Sequence, residues 1–211
     1  MKLKIKDPVS GYSHLAGALI FLAGTVLLLK KAGDVRETVS FLIFGLSTIL
    51  LYLASSLYHL FGAPAEKISY TRKMDHALIY LLIAGTFTPF CLVLVRGVLG
   101  WTVFVSVWLI AAAGTTAIFF DSFWKKMPRW ASTGLYLLMG WIAVALIFPL
   151  RNNPTVLAFI AAGGVLYTIG AVIYILKKPN FNKYIGFHEI FHFFILAGTF
   201  AHFWCIYYYV A

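Results

Sequence analysis

Two histidines stand four residues apart in His188-Glu189-Ile190-Phe191-His192, at the start of the last apolar stretch of the chain. That spacing puts both imidazoles on one helix face, one turn apart, where they can chelate a single metal ion. Ionisable groups in an otherwise apolar segment are costly and point to function. His59 and Asp75 are the residues expected to complete the site, with Ser55 one turn before His59 on the same face. Imidazole nitrogens and a carboxylate suit zinc, which in catalytic sites keeps three protein ligands and one open position. The run from His188 to His192 also fits the H-E-x-x-H pattern of zinc proteases, with Glu189 as general base. Short patterns of this kind arise by chance. A glutamate in a first turn also suits the helix dipole and can snorkel to the surface. Ser55 has a plain alternative as a hydroxyl bonded back to its own helix. His14, His76 and His202 are read as interfacial or satisfied buried imidazoles.

The elements that must position these residues are membrane helices. The chain has 211 residues, 62% of them hydrophobic and 11% charged, about half the charged fraction of a soluble domain. Its mean hydropathy is +0.88. Apolar runs cover about 13–29, 38–61, 74–95, 98–120, 132–149, 155–176 and 187–209. Most approach the roughly 20 residues a spanning helix needs. The expectation is an all-α integral membrane protein, a seven-helix bundle in a single domain over 1–211. Lys2, Lys4 and Lys6 precede the first run, but no small-x-small cleavage site follows it, so it reads as a retained helix.

Twelve of the seventeen basic residues fall in the N-terminal tail and in the connections carrying Lys67, Lys125 and Lys177. The positive-inside rule places those segments in the cytoplasm, with the N-terminus inside and the C-terminus outside. Attraction to anionic lipid headgroups then accounts for the net charge of +10, and no nucleic-acid partner is expected. Under this topology Asp75, His59, His188 and His192 share one layer near the inner leaflet, while His202 lies about 15 Å deeper. Gly17 and Gly24, and Gly163, Gly164 and Gly170, suit close helix packing. Gly62-Ala63-Pro64 breaks the second helix, and Pro89 should kink or end the third. Cys91 and Cys205 could sit at similar depth; apolar packing is the expected role, a disulfide the alternative. Leu82-Ile83-Ala84-Gly85-Thr86-Phe87 is echoed by Ile195-Leu196-Ala197-Gly198-Thr199-Phe200, an apolar similarity compatible with a repeat.

Ser55-x-x-x-His59, Asp75 and His188-x-x-x-His192 resemble the hemolysin III family, the bacterial branch of the progestin and adipoQ receptors. So do Leu53-Ala54-Ser55-Ser56-Leu57-Tyr58-His59, the stretch from Asp75 to Phe90, and His202-Phe203. The resemblance implies zinc held by His59, His188 and His192 near the cytoplasmic side, Asp75 holding a water bound to it, and Ser55 behind. A superfamily that includes alkaline ceramidases further implies hydrolysis of lipid amides or esters. Two other classes remain open: a membrane-state sensor or homeostasis factor in which zinc is a structural staple, and a cytolytic pore or transporter. Substrate and oligomeric state are not readable from the sequence.

Overall fold

The computed structural model describes residues 7–61 and 65–211. Lys2, Lys4 and Lys6 and the break at Gly62-Ala63-Pro64 lie outside the described residues, as does the side chain of Lys67. Among the described residues, seven helices are long and apolar enough to cross a membrane.

The first, α1 (Pro8–Lys31), starts five residues before the apolar run. Pro8 at its first turn fixes φ where a missing N–H costs nothing. The early start matters because it brings Ser10, Gly11 and His14 into the bundle as buried residues. Helix α2 (Val35–Leu60) is capped by Asp34, whose side chain accepts from the Glu37 N–H at 2.7 Å. It antiparallels α1 and carries Ser55 and His59 in its last turns.

Helix α3 (Ala65–Pro89) also begins earlier than the apolar run, so Asp75 lies ten residues inside it and not at its opening. Its first turns are rich in charged helix formers, which extend a helix without raising hydropathy. The α-helix ends at Pro89, as expected, but the chain does not turn there. The helix widens into a π segment, Phe90–Val95, and the Arg96 N–H donates to the Cys91 carbonyl at 2.9 Å. A proline lacks the N–H for the ordinary ladder, and an i→i+5 pattern absorbs the lost register. Arg96 and Gly97 both take positive φ and reverse the chain into α4 (Gly97–Phe119).

A short helix, α5 (Asp121–Lys126), precedes the fifth span. There Asp121 pairs with Lys73 of α3 and, at 3.7 Å, with Lys125. The hydrogen bond from Lys73 pulls the Asp121 carboxyl below its ordinary range. The fifth span is α6 (Arg129–Trp141), a 3-10 turn (Ile142–Leu146) and α7 (Ile147–Leu150). Pro149 removes the N–H that would bond to Ala145 and crowds that carbonyl, which explains the tightened turn before it. Helices α8 (Pro154–Leu176) and α9 (Phe187–Tyr209) complete the bundle.

Small residues let the helices approach. A Cβ on Gly17 would sit 2.5 Å from Leu196, and one on Gly24 2.9 Å from Phe203, so α1 lies close against α9. A Cβ on Gly85 would sit 2.0 Å from the Ser47 hydroxyl, and one on Gly198 2.5 Å from Tyr167. The glycines of the two similar stretches in α3 and α9 are thus both contact points. Gly163 packs against His202, whereas Gly164 faces open space. Cys91 and Cys205 are buried free thiols.

Candidate metal centre

The end of the bundle bearing most of the basic connections gathers the ionisable residues. His59, from the last turn of α2, places its Nε2 3.2 Å from Nε2 of His188, in the first turn of α9. His192 follows one turn later, its ring centre 4.7 Å from that of His188 and 5.0 Å from that of His59. The potential ligand atoms of the three histidines all lie within 4.8 Å of one another. A tetrahedral zinc site with Zn–N of about 2.0–2.1 Å sets its nitrogens about 3.3 Å apart. One edge of the triangle already has that length, and small ring rotations close the others. The donor set therefore fits a zinc-like ion.

The chain orients the triad from behind. Nδ1 of His59 lies 3.2 Å from Oδ2 of Asp7, which fixes that nitrogen as the N–H donor and turns Nε2 toward the triad. The Asp7 N–H also donates to the His59 carbonyl at 3.2 Å, satisfying a main-chain oxygen that the end of α2 leaves unpaired. The His14 ring stacks on His192 at 3.8 Å and 14°, and leans on Tyr52 at 4.8 Å. Both ring nitrogens of His14, and Nδ1 of His192, are buried without a hydrogen-bond partner.

Asp75 lies beside the triad and outside its ligand triangle. It faces the same cavity as the three histidines and Ser55.

Glu189 is engaged elsewhere. Its Oε2 accepts from the Gly186 N–H at 2.9 Å, capping α9, and its Oε1 accepts from the Ser10 hydroxyl at 2.9 Å. A carboxylate held by a helix cap and by α1 is poorly placed to act as a protease base. His76 is also structural: the Tyr136 hydroxyl donates to its carbonyl at 3.0 Å, and its ring meets Trp124 edge-on.

From the triad a cavity of about 720 Å³ runs between α3, the fifth span, α8 and α9. Leu82, Leu146, Ile160 and Ile195 give it an apolar wall, and His202 stands at its far end. Trp141, Val144 and Ile147 of the fifth span and Val165 of α8 line it while remaining about half exposed. The cavity therefore opens sideways between those spans, toward the lipid.

The family model described as "Haemolysin-III related" matches residues 3–203. The chain belongs to that family. It is 38% identical over 212 residues to "Hemolysin-3" of Bacillus cereus, covering 98% of this chain and 93% of that one. It is 38% identical to the "Hemolysin-3 homolog" of Bacillus subtilis, covering 97% and 95%. It is 26% identical over 206 residues to the human "Monocyte to macrophage differentiation factor", covering 94% and 82%. The human match carries the link to the progestin and adipoQ receptors. The chain is accordingly a multi-pass membrane protein in contact with membrane lipid.

Asp7 escapes a reading based on apolar runs because it precedes the first run, and His14, which opens that run, is read there only as an interfacial or satisfied buried imidazole. A signal did exist. Asp7, Ser10 and His14 are spaced i, i+3, i+7, which places them on one helical face. The hydroxyl network of Tyr52, Thr199 and Tyr167 was missed as well. Tyr52 and Tyr167 approach the Thr199 hydroxyl at 2.6 and 2.8 Å.

Proposed function

We propose that this protein is a zinc-dependent hydrolase of lipid amides or esters, with its N-terminus in the cytoplasm and its site at the inner leaflet. One observation carries the reading: three histidine donors from two helices converge at one end of a largely apolar cavity that opens to lipid. The distribution of basic residues supports the orientation.

His59, His188 and His192 would hold the ion, and Asp7 keeps His59 in the tautomer that presents Nε2. A zinc ion there supplies Lewis acidity and lowers the pKa of water toward about 7. Asp75 accepts the proton of the attacking water at a carboxylate oxygen and returns it to the leaving amine or alcohol. Ser55 orients Asp75 through its hydroxyl. The apolar wall takes the acyl chain and excludes bulk water, which strengthens these polar contacts.

The test is turnover by purified, metal-loaded protein on ceramides and other lipid amides and esters. Asp75→Ala should lower the rate by about 10²–10⁴-fold with the metal retained. No turnover on any of these substrates, with Asp75→Ala indistinguishable from the wild type, sinks the reading.

A second reading takes the metal as a structural staple in a membrane-state sensor. The clasp of Asp7 on His59, with His14 stacked on His192, favours it, because it ties α1 to the two metal-bearing helices. Metal removal would then lower thermal stability while abolishing no reaction. The names of the bacterial relatives suggest a cytolytic pore, which solute flux from liposomes would reveal.

A further inference from the structure

Beside the main cavity lies a second, smaller hollow of about 340 Å³, whose lining includes Arg72, His76, Trp124, Lys125, Arg129 and Tyr174. Arg72, His76, Arg129 and Tyr174 also line the main cavity, so the two spaces share a wall at the basic end of the bundle. The apolar chamber therefore adjoins a polar, cationic vestibule.

The charges in this vestibule are only partly neutralised. Asp121, the nearby carboxylate, is taken by Lys73 and Lys125. Among the described residues, neither Arg72 nor Arg129 has a carboxylate within pairing distance. Arg129 is held with its guanidinium 4.7 Å over the Tyr174 ring and 5.5 Å from Phe187. Its Nη1 is buried with no hydrogen-bond partner among the described residues. A buried guanidinium N–H without an acceptor is expensive, and the deficit calls for an anionic oxygen. Arg72 sits 5.7 Å from Trp124, whose ring backs His76. Two guanidiniums braced by aromatic rings offer forked donors that match the oxygens of a phosphate.

We propose that the vestibule binds the phosphate headgroup of a membrane lipid through Arg72 and Arg129, with the tail of the same lipid in the apolar chamber. The tail half of this statement rests on the chamber's being a lipid site, as in the proposed function; the headgroup half does not. If the lipid is also the substrate, the reaction favours phosphate-bearing lipids over neutral ones. The scissile bond would then lie between the headgroup at Arg129 and the tail beside His192.

The experiment uses the full chain in detergent micelles, titrated with dioctanoyl phosphatidic acid, dioctanoylglycerol or inorganic phosphate, and reads thermal stabilisation and bound lipid by native mass spectrometry. Phosphatidic acid should act at a concentration at least about tenfold lower than dioctanoylglycerol, the ratio expected for one or two charge-assisted hydrogen bonds. Inorganic phosphate should act only far more weakly, since it lacks the tail. Arg72→Gln/Arg129→Gln should erase the preference, while Lys177→Gln/Lys178→Gln, which removes the same charge from another basic connection, should keep it. Equal response of the wild type to both lipids overturns the proposal without relying on any variant. So does inorganic phosphate that matches phosphatidic acid, or a double arginine variant that retains the preference. Binding is read without turnover. A protein that prefers phosphatidic acid but hydrolyses nothing keeps the vestibule site and loses only the hydrolase reading. Turnover without headgroup preference does the reverse.

Discussion

Helix α9 carries buried histidines in two layers, and they behave differently. At His188 and His192 the neighbouring helices bring further donors, a carboxylate from α3 and an orienting carboxylate from the start of α1. About 15 Å along the same helix, His202 lies against aromatic rings and a glycine, and no second imidazole or carboxylate is grouped with it among the described residues. Its ring lies 5.5 Å from Tyr167 and 6.1 Å from Phe90, packed against Gly163, and its Nδ1 has no partner. Between the two layers, Tyr52, Thr199 and Tyr167 satisfy one another. A buried histidine in a membrane helix is thus not a site by itself. It becomes one where several helices converge on it and a second group fixes its tautomer.

The largest effect expected from this contrast is loss of metal. His188→Ala/His192→Ala removes two of the three proposed ligands and should reduce bound zinc from near one equivalent to below about a tenth, since a zinc site normally needs at least three protein ligands. His202→Phe should leave the metal content unchanged. Elemental analysis of the purified variants checks both, and equal losses from the two layers would erase the distinction between them.

Asp7→Asn comes next. The carboxamide can still meet His59 Nδ1 but no longer raises the basicity of the ring as a carboxylate does. Metal affinity should fall by about 10–100-fold, the usual cost of losing such a partner. Competition with a zinc chelator measures it. Unchanged affinity would make the Asp7 contact a helix clasp only.

How much of this was legible in the sequence depends on what each residue needed to be noticed. His188 and His192 announce themselves because their partner is one turn away on the same helix. His59 and Asp75 could be brought to the same layer by counting helix directions, since each lies near the end of an apolar run. Seven helices followed from apolar length alone. Helix starts were less readable, because α1 and α3 begin in polar residues that a hydropathy argument assigns to loops. That is why Asp75 looked like a helix opening, and why Asp7 and His14 were not connected to the triad. Nor does periodicity reveal which hydroxyl meets which. The Tyr52, Thr199 and Tyr167 contacts join α2, α9 and α8, and only the packed bundle brings them together.

That middle layer should contribute to stability and not to metal binding. The Thr199 hydroxyl donates to the Ile195 carbonyl at 2.9 Å, so both tyrosine hydroxyls must donate to it. Thr199→Val strands two buried donors and should cost about 1–3 kcal/mol, read as a lower melting temperature in micelles at constant zinc content.

Tyr52→Phe is the gentler and more discriminating change. Thr199 keeps its bond from Tyr167, no donor is stranded, and the cavity left is at most that of one hydroxyl. The expected cost is about 0.6 kcal/mol, the average for hydrogen bonds between membrane helices. Tyr52 also touches the metal layer, since its ring leans on His14, which stacks on His192. That contact is made by the ring face, which phenylalanine preserves, so zinc affinity should not move. If Tyr52→Phe weakens zinc binding tenfold or more while stability barely changes, the hydroxyl network reaches the triad through His14. The two layers of α9 would then be one coupled unit, and the contrast between them a matter of degree.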